Sequence, residues 1–343
     1  MSALSNKSES CRSVPAKISA TFVDLSIKTH RDHTPLDLTY DQWVSELSDM
    51  QAAGIGTAIV SRTLVYGRTY HYSKHFETWN EKDTFTPLMQ AATDVGMPLF
   101  FSGQLNNLFW SLDDANFDRL LVRDLELSKR LFDELLEQYP DAPLEGFYIT
   151  YEPDRMNAPT EKRMQSLRNF MVGIYHHLKQ ARPDLPLLTS PFYGLEVPPD
   201  ELADWWRAFL SEPMCDIVAM QDGVGCARKI SPTHVAEYYP ALKQVFDEKN
   251  ITFWNNLETF VMNPAVSKTP CDPKDLWFYS APISRLEDQY EAAKDYVSRT
   301  ITWEYGNFLS KRCAGEDIYN AFKAWNLSVT ADEKQLEPCV VTS

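Results

Sequence analysis

Glycine is scarce in this chain, 12 of 343 residues, and no strand is followed by a GxGxxG or GxxxxGK[ST] spacing. The backbone cradle that such spacings build around phosphate is missing, which argues against a nucleotide-binding domain. Long apolar runs are missing too: no stretch approaches the ~18 residues that a membrane-spanning helix needs. Basic residues are outnumbered, 33 Lys and Arg against 48 Asp and Glu, for a net charge of −15. Such an excess repels nucleic-acid phosphates and anionic membranes and favours neutral or cationic ligands, so neither nucleic acid nor membrane is expected as a partner. The six cysteines, Cys11, Cys215, Cys226, Cys271, Cys313 and Cys339, are widely scattered. None forms a CxxC or zinc-type spacing, which fits free thiols in a reducing compartment without disulfides. Residues Met1 to Pro15 are rich in serine and have no apolar core of a secretory signal, so a cytoplasmic location is expected.

What is present is a large supply of core-forming residues, 44% hydrophobic and 13% aromatic, in a repeating pattern. Short β-branched and aromatic runs begin near residues 17, 56, 97, 146, 186, 216, 251 and 300, and amphipathic helical stretches lie between them. Thr39 and Gln42 stand in capping-box spacing before a helix, and Ser284 and Glu287 predict a second such start for a helix reaching about Val297. Gly54 and Gly96 are placed to end helices, and Ser231-Pro232 to open one. Eight β-then-α units predict an α/β protein built as a single (β/α)8 TIM barrel, with a doubly wound open sheet as the competing arrangement. The expected division is a disordered tail at 1–15, the barrel at 16–327 and a mobile tail at 328–343.

Two connections exceed ordinary loop length, Thr63 to Phe85 after the second strand and Thr259 to Ile283 after the seventh. The first carries Tyr66, Tyr70, His71, Tyr72, His75, Phe76 and Trp79; the second carries Pro264, Pro270, Pro273, Pro282, Trp277, Phe278 and Tyr279. Long loops at the carboxyl ends of barrel strands bind ligands, or form small satellite cores that hold themselves down, and both readings stand.

The chemistry concentrates at two strand ends. Gly146-Phe-Tyr-Ile-Thr-Tyr-Glu-Pro-Asp154 runs from a buried strand into a carboxylate that Pro153 marks as the end of the ladder. Ile251-Thr-Phe-Trp-Asn-Asn-Leu-Glu258 has the same design. Two carboxyls at one barrel mouth can divide acid and base work, because burial and repulsion drive their pKa values apart. Glu152 and Glu258 are therefore the expected catalytic pair; the competing reading is a strand-end acid in an ion pair. Gln221 and Asp222, before the flexible Gly223, are expected to line the site, joined by Tyr151, Trp254, Asn256, Arg62, Gln104, Asn106 and Tyr193. Asn255 and Asn256 alternate across the sheet, so one of them alone can face the mouth. His71 and His75 have i,i+4 spacing but no third ligand, so no metal is assigned, and no other cofactor. Asp113-Asp114-Ala-Asn-Phe-Asp118 spells the DDxxxD of all-helical class I terpene cyclases, but acids opening a helix are expected here from capping.

Tyr151-Glu152-Pro153 after the fourth strand resembles the Asn-Glu-Pro signature of the retaining glycoside hydrolase clan with (β/α)8 barrels. Glu258 after the seventh strand resembles that clan's nucleophile in position. Ala20-Thr-Phe22, Gln221-Asp222-Gly-Val-Gly225 and Trp303 to Asn307 further resemble a family catalogued as a domain of unknown function with glycoside-hydrolase-like barrels, over roughly residues 16–308. The resemblance implies Glu152 as acid/base and Glu258 as nucleophile on a neutral glycoside or related small molecule. Tyr151 replaces the clan asparagine that binds the sugar 2-hydroxyl. An intracellular lyase, isomerase or cyclase using the same acids is therefore an alternative, and a non-catalytic ligand-binding barrel a third.

Overall fold

The computed structural model describes residues 16–27, 34–226, 229–262 and 278–329. Eight strands form its centre: β1 (Ala20–Asp24), β2 (Thr57–Ser61), β3 (Leu99–Ser102), β4 (Leu144–Ile149), β5 (Leu187–Thr189), β6 (Ile217–Gln221), β7 (Thr252–Glu258) and β8 (Arg299–Trp303). They close in the order β1-β8-β7-β6-β5-β4-β3-β2, every neighbour parallel. This is the predicted (β/α)8 barrel, and the open sheet is excluded.

Alternation along the strands sorts the core into two layers. Phe22, Ile59, Phe100, Tyr148, Leu188, Trp254 and Ile301 fill the barrel. Val60, Phe101, Phe147, Leu187, Val218 and Phe253 face outward into the larger core under the helices. Gly146 makes room for one inner ring, since a Cβ there would come within 2.3 Å of Phe100.

The helices are α1 (Tyr40–Ala52), α2 (Thr86–Val95), α3 (Asp114–Gln138), α4 (Glu161–Ala181), α5 (Pro199–Phe209), α6 (Pro232–Glu248), α7 (Ile283–Ala293) and α8 (Glu316–Asn326), with a one-turn helix at Tyr305–Phe308. Thr39 and Gln42 form the expected capping box of α1. Asp113 caps α3, accepting from the amides of Ala115 and Asn116 at 3.1 and 3.0 Å, which accounts for the acidic run there. The predicted box at Ser284 and Glu287 is corrected. Pro282 supplies the extended residue that starts α7 two residues earlier, without a side-chain cap, so Ser284 falls inside the helix. Glu287 instead accepts from Trp325 Nε1 of α8.

Residues 62–85 fold into small strands that pair with Gln104–Leu105, and Tyr70 and Phe85 are buried beneath them. Most of the loop after β7, including Pro264, Pro270, Pro273 and Trp277, lies outside the described residues, as do residues 1–15 and 330–343 of the expected tails. At the amino-terminal end of the barrel Arg299 donates to Ser19 and Thr57, both at 2.8 Å, and lies over the Trp254 ring at 4.8 Å.

Candidate active site

Thr150, Tyr151 and Glu152 follow β4, and the strand alternation that puts Tyr148 inside the barrel turns Glu152 inward and Tyr151 outward. The turn beneath Glu152 is locked locally. Asp154 accepts from the Asn157 amide at 2.9 Å, and Asn157 Nδ2 donates to Asp154 at 2.6 Å and to the Glu152 carbonyl at 3.1 Å. This Asx turn holds the acid at the rim.

Gln221, the last residue of β6, donates from Nε2 to Glu152 Oε1 at 2.9 Å and to the Ser190 carbonyl at 2.8 Å. Asn256 of β7 donates to Ser190 Oγ at 2.9 Å, and that hydroxyl donates to the Ala219 carbonyl at 2.9 Å. A polar chain therefore joins the ends of β4, β5, β6 and β7. Asn255 faces the other way, accepting from Tyr239 of α6 at 2.6 Å. The Tyr148 phenol is pushed above its ordinary pKa by burial and by the Glu152 charge, and pulled back by Arg62. Tyr148, Glu152 and Arg62 thus share one field at the mouth. Arg62 pairs with Asp24 at 3.3 Å, donates to Ser26 Oγ at 2.9 Å, and holds a φ of 61°, a strained value for a side chain of this size.

Glu258 follows the inward phase of Trp254 and Asn256 but meets a different environment. Its side chain is 2% exposed, because the segment 222–226 folds over it. The Cys226 amide donates to Oε2 at 2.8 Å and the Cys226 thiol to Oε1 at 3.3 Å. Gly225 permits this approach: a Cβ there would come within 2.9 Å of Glu258 Oε2 and 2.4 Å of the Phe260 carbonyl.

Asp222 is fully buried beside it, accepting from the Glu258 amide at 3.3 Å and from Gln289 of α7 at 2.6 Å. Arg285 of α7 donates to the Glu258 carbonyl at 2.6 Å. Burial, then repulsion from Glu258, pushes Asp222 well above the usual carboxylate range. Burial raises Glu258 too, against the hydrogen bonds from Cys226 and Gly225. Burial and mutual repulsion both disfavour charge on these two acids.

The other expected site residues divide. Tyr193 is buried near this acid pair: its hydroxyl accepts and donates nothing among the described residues, while Asp222 and Glu258 both raise its pKa behind the dominant effect of burial. Tyr151 is corrected. It is fully buried behind the sheet, donating to Asp124 of α3 and stacked on Phe109 at 4.5 Å, because consecutive strand residues face opposite ways. Trp254 is corrected as well, since it meets Phe100 edge to face and lies under Arg299 in the amino-terminal part of the barrel. Gln104 and Asn106 are tied into their own connection: Gln104 accepts from the Gly67 amide at 3.2 Å, and Asn106 caps a short helix at the Leu108 amide, 3.0 Å away. Asp222 holds Glu258 from the α7 side, so its expected place in the mouth is corrected to one behind it.

Sequence reasoning missed Tyr148, Ser190, Cys226, Arg285, Gln289 and Asn157. Period-two alternation from Glu152 points to Tyr148, and the Asp154-x-x-Asn157 spacing signals an Asx turn. Arg285 and Gln289 arrive from a neighbouring helix, which no local pattern announces. Among the described residues no cluster of three or more His, Cys, Asp or Glu side chains could hold a metal ion.

The sequence matches the family described as "Domain of unknown function (DUF4434)" over residues 18–312. No curated protein matches it. Among solved structures it is similar to a provisionally assigned α-L-fucosidase from Bacteroides thetaiotaomicron, 19% identical, covering 95% of this chain and 98% of that one with a TM-score of 0.70. An endo-1,4-β-D-mannanase from Thermotoga petrophila is 12% identical, with coverage of 90% and 99% and a TM-score of 0.54. A β-glucosidase from Thermotoga maritima is 11% identical, with coverage of 90% and 96% and a TM-score of 0.53. At these identities the likeness is one of fold.

Proposed function

From the premise that this chain belongs to the DUF4434 family, we propose that residues 16–327 form a glycoside-hydrolase-like catalytic domain acting on a neutral glycoside or related small molecule. Glu152 is the acid/base and Glu258 the nucleophile. The observation that carries this reading is the placement of two strand-end glutamates on one closed barrel, with Gln221 reaching from β6 to Glu152. Solved structures of the same fold that carry glycosidase descriptions support it.

In this scheme Glu152 protonates the leaving oxygen while Glu258 attacks the anomeric carbon, and Glu152 then activates water. Gln221 orients the Glu152 carboxyl through its bond to Oε1. Glu258 must shed the Cys226 cover before it can attack, so movement of segment 222–226 precedes the covalent step. A panel of aryl glycosides that includes α-L-fucoside, β-mannoside and β-glucoside tests the proposal. Release of the aryl group that falls at least about 100-fold in Glu152→Gln and Glu258→Gln supports it. Release unaffected by either substitution sinks it.

The covering of Glu258 also favours a second reading, a lyase, isomerase or cyclase in which Glu152 is the working acid or base and Glu258 stays structural. Loss of activity in Glu152→Gln alone, on a substrate converted without hydrolysis, would select it.

A further inference from the structure

Eight large apolar side chains are exposed among the described residues, and four of them stand on the connections after β2, β3 and β4: Tyr66, Leu108, Trp110 and Met156, between 41 and 53% exposed. Those connections are bound into one body beside Glu152. Thr150, two residues before the acid, donates to the Gln104 carbonyl at 2.5 Å, and the Tyr66 amide donates to the Leu105 carbonyl at 3.1 Å. The short helix Asn107–Trp110 buries Phe109 on Tyr151, ring centroids 4.5 Å apart, and leaves Leu108 and Trp110 outside, with Trp110 edge to face on Phe109 at 5.3 Å. Arg163 of α4 ties the β3 and β4 connections together, donating to Asp114 at 2.7 Å, to the Asn157 carbonyl at 3.3 Å and to the Leu112 carbonyl. Met156 lies in the Asp154 turn on the β5 side of Glu152, where a Cβ on Gly194 would come within 3.3 Å of its sulfur.

Proton delivery decides what can cover these side chains. An acid that protonates the leaving oxygen faces that oxygen, so the group the oxygen carries sits on the Glu152 side of the mouth. A sugar in that position needs fixed hydrogen-bonding side chains. Gln104 and Asn106 are buried and turned to the amides of Gly67 and Leu108, and Asn157 donates to Asp154. Leu108 has no polar atom, and Met156 offers only a weakly accepting sulfur. The net charge of −15 opposes an anionic leaving group. A neutral apolar one gains by covering all four side chains, and the faces of Tyr66 and Trp110 with the Met156 sulfur favour a ring.

We propose that Tyr66, Leu108, Trp110 and Met156 form a subsite for a neutral, ring-bearing apolar alcohol, the leaving group whose oxygen Glu152 protonates. This subsite rests on the reading of Glu152 as acid, and it makes the substrate a glycoside of such an alcohol rather than an oligosaccharide.

Titration calorimetry of the whole chain with 2-naphthol needs no turnover and so separates the subsite from the chemistry. A Kd of about 0.1–1 mM is expected, within what a ligand of about eleven heavy atoms can reach. Leu108→Ser and Trp110→Ala should each weaken binding about fivefold, the scale of half a buried apolar side chain. Val122→Ser, which removes an equally exposed side chain from α3, should not. Should one variant fail to fold, the other retains the test. On a sugar whose 2-naphthyl and methyl glycosides are both cleaved, the ratio of their kcat/KM values should fall about fivefold in Leu108→Ser, in favour of the methyl glycoside. Naphthol binding that the variants weaken, without cleavage of any glycoside, supports the subsite and removes hydrolysis instead. No saturable binding up to about 2 mM, above the expected Kd, overturns the proposal, as does undiminished binding by both variants or equal weakening by Val122→Ser. A dimer in sedimentation that Leu108→Ser dissociates overturns it too, by assigning the face to a second copy of the chain.

Discussion

The ends of β4 and β7 carry the same design in sequence, an aromatic strand running into glutamate, and the fold gives them opposite surroundings. Glu152 stands half-buried at the rim, where Gln221 donates to its carboxyl from across the barrel. Glu258 is buried, met by a backbone amide and a thiol from a loop folded over it, with Asp222 behind. What differs is the segment that follows the neighbouring strand. After β6 the glycines at 223 and 225 let the chain turn back over β7, whereas after β4 Pro153 and the Asp154 turn lead the chain away. The comparison teaches that a strand-end acid is set by its neighbour's loop as much as by its own strand.

The comparison can be broken or sharpened by substitution. The largest effect is expected on rate: Glu152→Gln and Glu258→Gln each lower turnover at least about 100-fold, the scale of one acid/base or nucleophilic role. Calorimetric melting of the same variants should show no loss of stability, and a gain for Glu258→Gln, because glutamine keeps the volume and removes a charge that burial disfavours. Next comes Gly225→Ala, which pushes a Cβ into Glu258 and the Phe260 carbonyl and should cost about 1–3 kcal/mol, read by denaturant unfolding. Gln221→Ala removes the donor to Glu152 Oε1 and should impair rate more than stability.

Tyr151→Phe sharpens the contrast within one strand end. It removes the donor to buried Asp124 and should destabilise by about 1–3 kcal/mol without changing KM, where a ligand-binding tyrosine would do the reverse.

A separate effect is one of pH. Asp222 titrates at about 7, pushed up by burial and then by Glu258, and Glu304, buried where it caps the one-turn helix, at about 8. Both folded values lie above the unfolded ones near 4, so their contribution to stability is full below about pH 4 and is lost as pH rises through 7 to 8. Melting temperature should fall from pH 5 to pH 8, and Asp222→Asn should flatten that slope. A slope identical in wild type and variant would remove the buried-acid account of segment 222–226.

The barrel was legible because hydrophobic period and caps agree along the whole chain: strand starts read near 146, 216 and 251 lie at Leu144, Ile217 and Thr252. Of the expected site, Gln221 and Asn256 reach the mouth as alternation allows. Tyr151 was misread because its place beside Glu152 in a motif outweighed the rule that neighbours on a strand face opposite ways. Trp254 was misread because its phase is inward but its depth is wrong, four residues before the strand's end. Depth depends on register with β6 and β8, which a single strand does not encode. Arg285, Gln289 and Cys226 meet Glu258 only through closure of the barrel and packing of α7.

The central claim is that Glu258 is nucleophile and Glu152 acid/base, and azide rescue tests it most directly. On an aryl glycoside that the wild type hydrolyses, Glu258→Ala with added azide should recover turnover and release a glycosyl azide of inverted configuration, since azide attacks once where the carboxylate would have. Glu152→Ala with azide should recover turnover and release the azide with retained configuration, through the covalent intermediate on Glu258. No rescue of either variant, or the same stereochemistry from both, would contradict the account.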